Sequence, residues 1–139
     1  MLHRYFYLAS LFVMLMPVPA SAEIDAAYSQ ALQTAEHYLV ATDKGHWTEA
    51  YQMASTELRL LTDQQQWVDE QSRYRQLLGP PLERQLTAVR FRDHYPGLPD
   101  GDYLIALYQV RTPMKEKAQE VLVLTEGSST WQVCRYMIR

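Results

Sequence analysis

The side chains of this chain that could hold or move a proton are few and scattered. Beyond the first 22 residues there are three histidines, His37, His46 and His94. No two of them stand at the i, i+4 spacing by which one helix face offers a pair of imidazoles to zinc. Cys134 is the only cysteine, so no Cys/His cluster can form. No metal and no cofactor is expected. The five glycines are spread through turn-like segments, and neither a nucleophile elbow nor a glycine loop for phosphate is present. The remaining acid/base groups are Tyr38, Asp43, His46, His94, Tyr103 and Tyr136. Several carry a competing structural reading. Asp43-Lys44-Gly45 looks like a helix end, Tyr38 falls on an apolar stripe, and His94 sits in a Pro/Gly-rich loop. No residue is assigned a catalytic role.

Three arginines, Arg84, Arg90 and Arg92, alternate along one extended stretch and are expected to line up on one side of it. Such a row could meet an anionic ligand or an acidic partner. It could equally guard an edge strand against pairing with another chain, which is the reading preferred here. Arg84 follows Pro80-Pro81 closely, and it is set apart by the family resemblance given below, whose pattern includes it. It is expected to tie a helix end to the strand through carbonyls or a carboxylate.

The elements that must position these groups begin after a leader. MLHRYFYLASLFVMLMPVPASA opens with His3 and Arg4, runs apolar from Phe6 to Val18 and closes on Ala20-Ser21-Ala22. That is the layout of a secretory signal cut before Glu23, too short to be a stable membrane span. Residues 1–22 are therefore read as a cleaved leader and residues 23–139 as a single domain, exported to the periplasm or beyond. The formal charge is −3, and losing the leader's one arginine makes the domain slightly more acidic. No basic stripe offers a footprint for nucleic acid. A lone cysteine in an exported domain forms no intrachain bridge, so Cys134 is expected as a buried thiol.

Apolar residues at helical spacing (Ala27, Tyr28, Ala31, Leu32, Ala35, Tyr38 and Leu39) predict a first helix over 25–42, stopped at Lys44-Gly45. Trp47, Ala50, Tyr51 and Ala54 predict a short second helix, forming a hairpin with the first. Residues 57–61 read as an irregular link or a short strand. A third helix is expected to open at Thr62, capped reciprocally with Gln65, and to end at Gly79-Pro80-Pro81. Strands are expected at 83–92, 103–111, 119–125 and 130–138, joined by links too short for crossover helices. An antiparallel meander follows, and helices before strands make the chain α+β.

Both faces of this sheet read as apolar. On the second strand Tyr103, Ile105 and Leu107 oppose Leu104, Ala106, Tyr108 and Val110. On the last strand Trp131, Val133 and Met137 are expected opposite Cys134, Tyr136 and Ile138. The helices can cover one face. A second copy is expected to cover the other, giving a homodimer through the sheet.

Several residues also come in a familiar order: Asp43-Lys44-Gly45-His46-Trp47, Trp67, Arg75, Leu78-Gly79, Arg84, Leu98-Pro99-Asp100-Gly101-Asp102-Tyr103, then Trp131-Gln132-Val133 with Tyr136. In this the chain resembles the bacterial family called domain of unknown function 4019. Arg135 stands where that family's last strand tends to have a glycine. The resemblance implies a cystatin-like or nuclear transport factor 2-like cone, similar to ketosteroid isomerase, in which a curved sheet wraps a long helix. Tyr38, Asp43, Trp47, Tyr103, Trp131 and Tyr136 are the candidates to line a pocket in such a cone. Acid/base chemistry there would need an interior carboxylate, and none of the four strands is expected to place one among its apolar residues. The expectation is thus a non-enzymatic module that binds a small apolar ligand or an envelope protein partner. The alternatives are an isomerase, lyase or hydrolase using the cone, and a structural protein of envelope assembly.

Overall fold

The computed structural model describes residues 20–139. Most of the expected leader, residues 1–19, lies outside the described residues. Four helices precede four strands: α1 (Ala20–Asp43), α2 (Trp47–Gln52), α3 (Thr56–Leu61), α4 (Gln64–Leu78), β1 (Glu83–Arg92), β2 (Tyr103–Arg111), β3 (Ala118–Glu126) and β4 (Trp131–Ile138). The strands form one antiparallel sheet in the order β1-β2-β3-β4, the α+β meander expected. Among the described residues no helix is long and apolar enough to cross a membrane.

α1 lies across β2, β3 and β4. Ala31 and Ala35, both fully buried, bring its backbone close to the sheet, and Tyr38, Leu39 and Thr42 continue the buried stripe. Its end follows from Gly45 at φ 72°. There the Gly45 amide donates to the Thr42 carbonyl and the His46 amide to the Ala41 carbonyl, satisfying carbonyls the helix leaves open.

Two local expectations shift. Residues 57–61, read as a link or strand, belong to α3, because buried Ser55 caps it by accepting from the Leu58 amide at 3.3 Å. α4 is capped by Asp63, which accepts from the Gln66 amide at 2.9 Å, and not by Thr62. Thr62 is extended at the close of α3, and its carbonyl accepts from Tyr51 Oη. The stop after Leu78 is as expected, with Gly79 at φ 78° packed against Pro113.

The strand boundaries agree with the reading, but two bulges change which side chains share a face. In β1 the register shifts between Leu86 and Ala88, leaving Thr87 as the extra residue. Arg84, Leu86, Val89 and Phe91 therefore face the helices, whereas Arg90 and Arg92 point to the outer face. The three arginines do not form the single row expected. In β4 Val133 pairs with Leu124 and Arg135 with Val123, leaving Cys134 as the extra residue. Trp131, Val133, Tyr136 and Ile138 thus face the helices, while Cys134 and Met137 join the outer face. Strict alternation had placed Tyr136 opposite Val133, and the extra residue reverses that.

The outer face is apolar, as read, but its cover comes in part from the chain itself. Leu98 and Tyr95 of the β1–β2 loop pack over Tyr103, Val121, Val123 and Cys134. Tyr103 Oη donates to the Pro99 carbonyl and Arg135 Nη2 to the Gly97 carbonyl. Ile105, Leu107 and Met137 remain half-buried beside this cover. Cys134 is fully buried, its thiol donates to the Val123 carbonyl at 3.2 Å, and burial pushes its pKa up to about 12. A thiol in that state is unreactive at neutral pH.

Candidate functional site

The C-terminal end of α1, the last turns of α4 and the sheet enclose a cluster of charge. Asp43 is the final residue of α1, Arg75 projects from α4, Arg84 from the start of β1, Glu120 from β3 and Tyr136 from β4. Arg84 is the centre. Its Nη1 and Nη2 donate to Asp43 Oδ2 and Oδ1 at 2.6 and 2.8 Å. Its Nε and Nη2 donate to Glu120 Oε2 and Oε1 at 2.6 and 3.2 Å. A planar guanidinium can fork two carboxylates in this way where a lysine cannot. Arg75 Nη2 donates to Asp43 Oδ1 at 3.2 Å and stands 3.6 Å from Glu120 Oε1. Tyr136 Oη donates to Glu120 Oε1 at 2.7 Å.

Burial sets the energetics. The Glu120 side chain is 0% exposed, Arg75 14%, Arg84 17% and Asp43 25%. Two guanidinium groups against two carboxylates leave no net formal charge, the condition under which such groups can be taken out of water. Burial alone would make the Arg84 guanidinium easier to deprotonate. Its hydrogen bonds to Asp43 and Glu120 overcome this and hold its pKa above the ordinary arginine value. Burial, then the charge of Glu120 and the bond to it, hold the Tyr136 hydroxyl well above its usual range. Tyr38, wholly buried and 5.5 Å from Tyr136 between ring centres, is raised by burial and by the proximity of Tyr136 and Glu120.

Of the pocket candidates, Tyr38, Asp43, Trp47 and Tyr136 gather around this end of the interior. Tyr38 and Trp47 both pack edge-on against Trp67, each with ring centres 6.4 Å away. Trp131 is at the opposite end of the sheet, and Tyr103 is on the outer face beneath the loop. Arg84 is brought into the cluster, but the helix end it ties through a carboxylate is that of α1, at Asp43, and not that of α4 just before it in the chain. Arg90 and Arg92 are exposed on the outer face and do not belong to it.

Glu120 corrects the expectation that no strand holds an interior acid. It is in phase with Ala118, Leu122 and Leu124 on the helix side of β3 and wholly buried. The signal for it was in the alternation. Extending the strand's apolar phase back by one step from Leu122 lands on Glu120, which a strand beginning at 119 leaves beside a turn.

An interior carboxylate beside two tyrosines is a starting point for proton transfer, but a base needs a free lone pair and a substrate within about 3 Å. Both oxygens of Glu120 and both of Asp43 already accept from Arg84, with Tyr136 and Arg75 adding to the load. The cavity adjoining Arg75, Tyr136, Trp47 and Tyr74 measures about 10 Å³, no more than the space of one water. The arrangement works as a clamp, fastening α1, α4, β1, β3 and β4 at one end.

Among the described residues, the other end of the α1–sheet layer is open. A cleft of about 660 Å³ lies between Ala27 on α1 and the strand ends, with Phe91 and Trp131 as its aromatic walls. Its charged lining is Arg92, Asp93, Asp102 and Glu126. Among the described residues, no three or more His, Cys, Asp or Glu side chains are grouped as metal ligands.

The arginine-forked carboxylates and the meander that carries them fall inside a match to a family model described as a protein of unknown function (DUF4019), which covers residues 34–136. A comparison with curated proteins finds no match. Because the family match spans most of the chain, from the middle of α1 to β4, the chain belongs to the DUF4019 family.

Proposed function

We propose that this protein is an exported, non-enzymatic binding module of the periplasm that takes a small ligand at the open end of the α1–sheet layer. The observation that carries this reading is the occupancy of the interior carboxylates. Glu120 and Asp43 are forked by Arg84, and the cavity beside their other partners, Arg75 and Tyr136, is about 10 Å³; the cleft of about 600 Å³ that Arg84 borders is lined by neither acid. An isomerase, lyase or hydrolase working inside the cone would need an unengaged acid facing a substrate-sized cavity. A cleft with two aromatic walls is at the opposite end, and its volume suits a small organic molecule. Export rests on the leader, with its basic start, apolar run and Ala20-Ser21-Ala22 close. A second copy of the chain remains part of this reading, seated on the half-buried strip of Ile105, Leu107 and Met137 that the β1–β2 loop leaves beside it.

Native mass spectrometry of the protein purified from the envelope fraction of cells that export it tests the whole reading. The expected result is a mature chain beginning at Glu23 that retains a small molecule. An intact leader, or a strictly monomeric chain carrying nothing, overturns it.

A further inference from the structure

The two ends of the α1–sheet layer treat their carboxylates in opposite ways. At the clamp each acid is paired with arginine. At the cleft, Asp93, Asp102 and Glu126 have no cationic partner among the described residues. The single cation of the lining, Arg92, turns its Nη1 to the Phe91 carbonyl at 2.8 Å. Three carboxylates against one guanidinium leave the mouth of the cleft negative, and a concave site concentrates such a field.

The walls behind that charge are aromatic. Phe91 is 43% exposed on the helix side of β1, and Tyr28 of α1 is tilted against it with ring centres 5.9 Å apart. Trp131 closes the inner wall and is 5% exposed. Ring faces attract a cation, most strongly where water is excluded, and they also bury an apolar body.

We propose that this cleft binds a small organic cation, an ammonium group carried on an aromatic or aliphatic body. The assignment rests on the binding reading above and adds the chemical class of the ligand. A bare metal ion fits poorly, because the three acids do not converge as a ligand group and aromatic walls offer a hard cation no oxygen. An anionic ligand meets a net negative rim. An organic ammonium satisfies the acids at long range and the rings at contact.

Calorimetric titration of the mature chain beginning at Glu23 tests this with three probes of similar body: benzyltrimethylammonium, benzyl alcohol and benzoate. The expected result is saturable binding of the ammonium, at least about tenfold tighter than the alcohol, with none for benzoate. Its affinity should fall with added salt, since exposed carboxylates are screened. Asp102→Asn combined with Glu126→Gln should weaken the ammonium about fivefold or more, and Phe91→Ala should weaken it as well, while the unfolding midpoint of the acid variant stays unchanged. Equal affinity for the alcohol, or binding of benzoate, overturns the cation assignment and leaves a binding module standing. Absence of binding by all three also overturns it, and the ligand retained in native mass spectrometry then decides the broader reading separately.

Discussion

The clamp and the cleft are built from the same materials, acids and aromatic rings between α1 and one face of a sheet, and they differ in what the acids meet. At the Asp43–Glu120 end, Arg84 forks both carboxylates, Arg75 adds a bond to Asp43, and the cavity beside Arg75 and Tyr136 is about 10 Å³. At the Asp102–Glu126 end the acids face a cleft of about 660 Å³ and solvent. The difference teaches that an interior carboxylate by itself does not make an active site. A paired acid spends its lone pairs on holding elements together, whereas an unpaired acid at a cleft leaves them free for a ligand.

The comparison breaks most readily at Glu120. Truncating one member of a buried pair strands the other charge, at a cost of about 3–5 kcal/mol. Glu120→Gln leaves Arg84 short of a counter-charge and should lower stability by about that amount in urea unfolding. Asp102→Asn, at the exposed end, should change stability by less than about 0.5 kcal/mol. Similar small losses at both positions would mean that the two ends do not differ as described.

A smaller effect is expected on the outer face. Leu98→Ala removes a loop contact with the cluster of Val121, Val123 and Cys134; a buried leucine cut back to alanine costs about 2–5 kcal/mol, and Leu98, 9% exposed, belongs at the lower end. The same substitution should speed reaction of Cys134 with a thiol reagent, since the loop is what shelters it. Unchanged thiol reactivity would assign the cover to something other than this loop.

Alkaline pH should loosen the buried aromatic region. Tyr108 is held at about 12 by burial foremost, above its ordinary value of 10.0, and burial also raises Tyr136 and Tyr38 well above theirs. Between pH 10 and 12 the unfolded chain therefore gives up protons that the folded chain keeps. The stabilisation is complete below pH 10 and is lost as pH rises above it. The urea midpoint should be level from pH 8 to 9.5 and fall beyond 10, and Tyr108→Phe should make that fall shallower.

The smallest effects belong to Arg90 and Arg92. Both are exposed, and alanine at either should shift stability by no more than about 0.5 kcal/mol. Arg84→Ala should cost several times that. The contrast within one strand measures what the bulge at Thr87 does.

These arginines also show where the sequence could be read and where it could not. Helical spacing, the Gly79-Pro80-Pro81 stop and the alternation of the strands are local signals, and they located every described element except α3 to within a few residues. That Arg84 would tie a helix end through a carboxylate was legible, but which helix was not, because its partner Asp43 lies 41 residues away on α1. Bulges were not legible. One extra residue at Thr87 or Cys134 carries little composition signal, yet it reverses the face of everything beyond it, so Arg90 and Tyr136 fell on the wrong side. Glu120 was missed for a related reason. A buried acid is tolerated only when partners arrive from elsewhere in the chain, and Arg75 and Arg84 lie 45 and 36 residues away. The cleft depends on strand ends and a helix meeting in space, which spacing along one element does not report.

The claim that the interior charges act as a clamp is tested most directly by a double-mutant cycle on Arg84 and Glu120, read by equilibrium urea unfolding. The account predicts that Arg84→Ala and Glu120→Ala each cost about 3–5 kcal/mol, and that removing both costs clearly less than the sum, because neither charge is then left stranded. Single losses below about 0.5 kcal/mol, or losses that simply add, would contradict it.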